Sequence, residues 1–513
     1  MSALLKEIVI DAARLKANWE CRAAEIAGEF LRLPPGAVTA AEILSAAVDS
    51  RRGSPKLVLT MRVDAAGLPP AAPEELAAYI PKPPRLDEKF ARMHHPLIVG
   101  TGPAAIYPAL VFAEAGCEPI ILDRGAPVEK RAADCENFIR TRKLDPESNL
   151  LVGEGGAGTF SDGKLHTGIK DRRAAWIKSV MAACGAPDEI RWKNRAHAGS
   201  DHLRSVAAGL RRRIEAAGGR FLFHTAVADI IERNGVCAGV VTASGEKIFA
   251  PITLIAPGLG GRELVRTLMR QLAWEPKPFQ IGCRIEHPQE LIDRRMYRMT
   301  RPEALGAAEY HLVARKGRRH VASFCMCPGG EVVNATAWEN ASATNGMSLF
   351  ARAGAFANSC LITTIAPGEW GDADAVYARI AALEKACFAA GGGDYSLPAQ
   401  DASAFLRKRP GLRHSGNSPA VGVVPARLDE IMPEALRLAL ADALPELNAK
   451  LPGFIDTGTF IGIESCVSSP VRFRRDPETG VSSMPGLYLA GEGCGAAGGI
   501  ISAACDGLRL FCS

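Results

Sequence analysis

Two glycine-rich segments, about 390 residues apart, constrain this chain more than anything else in it. The first is Pro96-Leu-Ile-Val-Gly100-Thr-Gly102-Pro-Ala-Ala105, and the second is Leu487-Tyr-Leu-Ala-Gly491-Glu492-Gly493-Cys-Gly495-Ala-Ala-Gly498-Gly499-Ile500. Each reads as an apolar strand, a glycine turn and a small-residue helix. Together they read as two halves of one nucleotide site. The fold class that follows is α/β with a parallel sheet.

In the first segment Gly100 suits the tight turn. Gly102 lets backbone approach a pyrophosphate, and Ala105 permits close helix–strand packing. Pro103 and Ala104 open a helix whose first amides and positive dipole end face the phosphates. An acid at the end of the next strand should hold ribose hydroxyls, and Asp123 sits there, followed by Arg124-Gly125. A carboxylate at that place argues against a 2′-phosphate, and so against NADP. It leaves NAD and FAD open. The loop Gly153-Glu-Gly155-Gly156-Ala-Gly158-Thr159-Phe160-Ser161-Asp162-Gly163-Lys164-Leu165 decides between them. It suits backbone passing close to a flavin and its ribityl chain, which an NAD domain does not need. FAD is therefore the expected cofactor, with oxidoreductase chemistry. The expected lining is Gly100, Gly102, Pro103, Ala104, Asp123, Arg124, Gly155, Gly156, Gly158, Thr159, Ser161, Asp162, Val227, Pro257, Gly258, Gly491, Glu492, Gly498, Gly499 and Ile500.

At 513 residues the chain is too long for one core. Residues 1–65 read as a small α/β unit with a helix near 12–30. Residues 66–95 carry six prolines and read as an extended tether. Residues 96–280 plus 456–513 make the FAD domain. Residues 281–455 read as an inserted substrate domain, with helices near 346–356, 373–390 and 433–449. A net charge of +5 is too small to argue for nucleic acid or a membrane surface. No apolar run of about 18 residues is present, and the N-terminus is too charged for a signal peptide, so a cytoplasmic protein is expected. The 14 cysteines show no CxxC spacing and read as free thiols. The closest pair, Cys325-Met-Cys327, reads as structural.

Several motifs carry a resemblance. They are Gly153–Leu165, Ala196-His197-Ala-Gly199-Ser-Asp201-His-Leu203, Ile281-Gly-Cys-Arg284-Ile-Glu286-His287-Pro288, Ser323–Gly330, Asn345-Gly-Met-Ser348, Asn358-Ser359, Ser468-Ser-Pro-Val-Arg472 and Ala490–Ile500. In this order they resemble a bacterial family of uncharacterised FAD-dependent dehydrogenases, the NAD(FAD)-utilising dehydrogenases. The resemblance implies a two-dinucleotide-binding-domain flavoprotein fold, a Rossmann-like FAD domain with an inserted α+β substrate domain, and non-covalent FAD. It implies that Gly491-Glu492-Gly493 holds the ribityl–pyrophosphate region and that the last helix points its N-terminus at the flavin. Two positions depart from the family: Leu259, where a histidine is usual, and Cys466, where an arginine is usual. Either the substrate differs or Arg472 replaces that arginine.

Flavin chemistry often needs a proton donor or acceptor. Glu286, His287 and Glu464 are the expected catalytic residues, Glu286-His287 as a carboxylate–imidazole pair. His166, His197 and Arg284 are further candidates, Lys164 and Arg472 could bind an anionic group, and Cys494 reads as a small residue packed beside the cofactor. Outside the segments already assigned to FAD no GxGxxG is present, so electrons would come from transient NAD(P)H, a donor protein or the substrate itself. The expected activity is hydride transfer between flavin and a small organic substrate. The alternatives are an FAD monooxygenase using NAD(P)H and oxygen, and a flavoprotein binding a macromolecule such as RNA through Arg51-Arg52 or Arg211-Arg-Arg213.

Overall fold

The computed structural model describes residues 2–513 except Arg52, His414, Ser415 and Cys466. The departure at Cys466 and half of the Arg51-Arg52 cluster therefore lie outside the described residues. The strands Ala3–Asp11, Val38–Asp49 and Lys56–Ala65 form an antiparallel sheet with the third strand central. Alternation along Lys56–Ala65 buries Leu57, Leu59, Met61 and Val63 beneath the helix Ala23–Leu31. The expected helix near 12–30 is broken: Asn18 takes φ 60°, and two single turns precede Ala23.

The stretch 66–95 does more than tether. It forms short helices at Pro73–Ala77 and Glu88–Ala91. Phe90 is buried edge-on against Phe112, Tyr488 and Phe511. Asp87 N–H bonds the carbonyl of Phe511, and Ser513 N–H that of Arg85. A single aromatic anchor outweighs the proline content.

The central sheet is parallel, in the order Leu487–Leu489, Thr253–Ile255, Leu97–Val99, Ile120–Leu122, Arg220–Leu222. The first four strands are buried at every residue, as parallel strands covered by helices on both faces must be. A three-stranded antiparallel ribbon, Val227–Arg233, Val236–Thr242 and Lys247–Phe249, joins Arg220–Leu222 to Thr253–Ile255. Helix Pro103–Glu114 packs with the C-terminal helix Ile500–Arg509, where Gly507 allows backbone approach to Ala104. The chain thus returns, after a long excursion, to pair with Thr253–Ile255, the strand from which it left the sheet.

That excursion builds a seven-stranded mixed sheet. Its central strand Phe279–Pro288 lies between Phe356–Ile365 and Thr459–Glu464. Ile281, Cys283 and Ile285 face a core with helices Ala373–Ala390 and Glu434–Lys450. Gly282, Arg284 and Glu286 alternate onto the other face. The expected helix near 346–356 is absent. Thr344–Met347 instead pairs as a strand with Glu331–Asn334, and Arg352 takes φ 47° in the turn that follows. Among the described residues no helix is long and apolar enough to cross a membrane.

Candidate functional site

Three strand ends converge at the glycine turns. Gly100 takes φ 101°, and a Cβ there would lie 2.5 Å from the Ala256 carbonyl oxygen. Gly493 lies against the Gly258 carbonyl, and Cys494 Sγ donates to the Ile255 carbonyl at 3.7 Å. These contacts close Gly100, Pro257-Gly258 and Gly491-Glu492-Gly493 into one rim.

Gly102 differs from its neighbours. A Cβ built on it meets nothing nearer than Gly156 Cα at 4.0 Å, so the space over the first turn of Pro103–Glu114 is open to a ligand. The first amides of that helix have no intrahelical partner. Asp123 is buried beside this space. It accepts Gly125 N–H at 2.8 Å and the Thr101 hydroxyl. The segment before Val227 runs alongside, with Thr225 N–H on the Asp123 carbonyl and His224 N–H on that of Gly125. A narrow cleft continues from Thr101 and Pro103 past Gly155, Gly158 and Thr159 to Ile500, with Ile106, Tyr107, Leu203 and Val206 as its apolar wall. Helix amides, a fixed acid and glycine backbone brought together in this way suit a dinucleotide.

Residues 278–466 match the family described as FAD-dependent protein, C-terminal domain-like. Across 427 residues the chain is 37% identical to an uncharacterized protein of Clostridium beijerinckii, covering 81% of this chain and 79% of that one. The chain belongs to this family of FAD-dependent proteins. Looser likenesses in fold are to CtdE in complex with FAD (12% identity, 82% of each chain, TM-score 0.32) and to a Bacillus halodurans glycerol-3-phosphate dehydrogenase complexed with FAD (10%, 82% of this chain and 63% of that one, TM-score 0.36). FAD is the cofactor of this flavoprotein.

The structure also shows what sequence reasoning missed. Arg131, on the helix Val128–Thr141, is fully buried beneath the glycine loop of the flavoprotein. It donates to the carbonyls of Asn149, Gly153, Glu154 and Gly156 at 2.7–3.1 Å and stacks over Phe160 at 4.7 Å. Burial lowers its pKa to about 10, so it stays charged at neutral pH. Fixing the Gly156 carbonyl on Arg131 turns the Ala157 N–H of the same planar peptide the opposite way.

Four expected cofactor contacts have side chains engaged by protein instead. Arg124 is paired with Glu147 at 2.6 Å. Ser161 Oγ donates to the Gly158 carbonyl at 2.7 Å. Glu492 accepts from Ser469 N–H at 3.0 Å and lies 3.4 Å from Lys277 Nζ. Asp162 is gripped by Arg352 at 2.9 Å through Nε and by Lys164 at 2.9 Å. Burial disfavours its charge, yet those two cations hold its carboxyl well below the usual range. Only the backbone of these four is left to serve the cofactor.

The expected Glu286–His287 pair is not brought together. Adjacent strand residues point to opposite faces. Glu286 accepts from Asn417 Nδ2 at 2.9 Å and from the hydroxyl and amide of Ser418, and burial raises its pKa. His287 turns to the other side, with Nε2 at 2.9 Å from the Phe454 carbonyl. Both border a separate cleft with Arg413 and Thr457. The rim of the glycine site touches the strand's other end, where Gln280 N–H meets Ser468 Oγ. Seven residues at about 3.3 Å each separate the two ends by ~23 Å.

Glu464 is placed differently. Its Oε2 lies 2.8 Å from Arg284 Nε, both side chains buried. Arg284 also donates to the Cys325 carbonyl and to Asn345 Oδ1, each at 2.8 Å. Burial raises the Glu464 pKa, with Arg284 working against the rise. His166 is exposed, and His197 holds the Phe350 carbonyl at 2.9 Å. Arg472 is half exposed, with Nε donating to the Gly495 carbonyl at 3.3 Å, and Leu259 is partly buried.

Burial holds His287 neutral and lowers its pKa from 6.5 to about 4. The unfolded chain therefore binds one more proton than the native flavoprotein between those values, and stability falls as pH drops through that window. The expected contribution to the slope is about 1.4 kcal/mol per pH unit. Denaturant unfolding between pH 4.5 and 6.5 should show a shallower slope, by about one proton, in His287→Gln. An unchanged slope would mean that His287 titrates normally in the folded state.

Proposed function

We propose that this protein passes a hydride between FAD and a small organic substrate held against residues 281–455, at a C–C, C–N or C–O bond. The observation that supports it is the polar face of the central strand: Arg284, Glu464 and Asn345 meet there, under the loop that carries Lys164. FAD supplies the hydride exchange when bound. The chain's own residues supply the rest. The amides behind Gly102 receive the pyrophosphate, and Asp123 receives ribose hydroxyls. The N-terminus of Ile500–Arg509 presents a positive dipole end to the flavin side. Glu464, its pKa raised by burial, is the carboxyl placed to exchange a proton with substrate, and Arg284 orients it.

Anaerobic mixing of the FAD-loaded protein with NADH, NADPH, alcohols, amines and saturated acids tests this. At least one should bleach the flavin absorbance, and with the substrate itself Glu464→Gln should slow bleaching by roughly 10²–10⁴-fold, the usual worth of a proton-transfer group. Bleaching by nicotinamides alone, followed by oxygen-dependent hydroxylation of an added compound, would favour a monooxygenase.

A further inference from the structure

The strand Val321–Cys327 carries an irregularity at its cysteines. Phe324 pairs with Cys360, but Cys327 pairs with Asn358, so three steps on one strand face two on the other. This is a β-bulge. Cys325, at its centre, takes φ 44°, a conformation that is strained for a residue with a Cβ. The consequence is a distance. In a regular strand, residues two apart have Cβ atoms roughly 6.6 Å from each other, and a disulfide needs about 3.5–4.5 Å. The bulge breaks that regular spacing. Cys327 Sγ donates to the Cys325 carbonyl oxygen at 3.3 Å, which keeps its thiol beside that of Cys325.

The surroundings are charged and crowded. Lys164, Arg284 and Arg352 are the cations that face the pair, and Asp162 and Glu464 are the anions. A Cβ at Gly346 would lie 2.7 Å from Cys327 Sγ and 2.6 Å from Arg284 Nη1, so only hydrogen fits between. Cys325 is partly exposed and Cys327 is buried. The hydrogen bond from Cys327, with Lys164 and Arg284 beside it, holds the Cys325 thiol well below its usual range, while Cys327 is raised. One thiol is thus activated and reachable, and its neighbour is protonated and protected.

We propose that Cys325 and Cys327 form a peroxide-reactive dithiol, with Cys325 as the attacking thiolate and Cys327 as the resolving thiol. In the first step the Cys325 thiolate attacks hydrogen peroxide. An S–O bond forms, the O–O bond breaks, and hydroxide leaves; sulfur gives up two electrons to the peroxide and becomes a sulfenic acid. In the second step Cys327 sulfur attacks that of Cys325. The S–S bond forms, the S–O bond breaks, and the hydroxyl leaves as water with the Cys327 proton. A dithiol reductant reverses the change. Oxidation removes the negative partner that Lys164 faces, so the state of the pair is felt at the glycine loop.

The FAD-loaded protein treated with equimolar hydrogen peroxide, blocked with iodoacetamide and digested with trypsin gives the answer. The peptide His320–Arg352 contains Cys325 and Cys327 and no other cysteine. It should appear two hydrogens lighter and unalkylated, and should regain two alkyl groups after dithiothreitol. Cys21, exposed, serves as the internal standard; Cys325 should be oxidised at least about tenfold faster, as activated thiolates are. Cys327→Ser should stop at a sulfenic acid that dimedone traps on Cys325. Two alkylated cysteines in that peptide after oxidation overturn the proposal. So does sulfinic or sulfonic acid formed without a disulfide, or dimedone label elsewhere in Cys327→Ser.

Discussion

Gly102→Glu should purify folded, with the melting temperature of the FAD-free wild type, and without flavin. The Gly102 backbone, at φ −68°, accepts any L-residue, and its Cβ direction is empty. The substitution therefore leaves the protein's own packing intact. What it fills is the space over the helix amides, and it fills it with a carboxylate where a pyrophosphate must lie. Two like-charged groups cannot share that position, and the glutamate takes the helix dipole for itself. Flavin absorbance of the purified protein and of protein refolded with excess FAD is the measurement. Wild-type flavin content in the variant would show that the dinucleotide lies elsewhere.

Arg131→Met should have the largest effect on stability. It leaves the buried Asn149 and Glu154 carbonyls without a donor, while those of Gly153 and Gly156 keep the Gly156 and Thr159 amides. Each unsatisfied group costs about 1–3 kcal/mol, against the margin of about 5–15 kcal/mol that folded proteins have in general. Calorimetry should show a fall of roughly 2–4 °C for each kcal/mol lost. FAD should bind weakly or not at all, because the Gly156–Ala157 peptide is no longer fixed. Arg131→Lys restores the charge but not the fork of donors, and should recover only part of both. A Met variant with wild-type melting and wild-type flavin content would sink the role given to this arginine.

The sequence made the cofactor cradle readable because its signal is local. A glycine turn between strand and helix, with Asp123 one strand further on, is a pattern within thirty residues. The second half was readable for the same reason. Arg131 was hidden because Val128–Thr141 is rich in charge and reads as a solvent-facing helix; only the fold shows that its inner face meets carbonyls. The segment 346–356 becomes strand and turn through pairing with Glu331–Asn334, a tertiary preference that propensity cannot supply. The Glu286–His287 pairing, by contrast, could have been refused from sequence alone. Ile281, Cys283 and Ile285 alternate with Gly282, Arg284 and Glu286, and a period of two sends neighbours to opposite faces.

The strand order of the parallel sheet sets a timetable for synthesis. Gly100 and Gly491 line one groove, and a ribosome working at about 5–20 residues per second takes on the order of 20–80 s to travel from one to the other. For the last roughly 10–50 s of that interval Thr253–Ile255 has a bare edge awaiting Leu487–Leu489, the kind of surface that recruits wrong partners. FAD cannot shelter it, because the last wall of its own groove does not yet exist. Loading of the cofactor is therefore a late event, and a nascent chain stalled before residue 487 is both empty and adhesive.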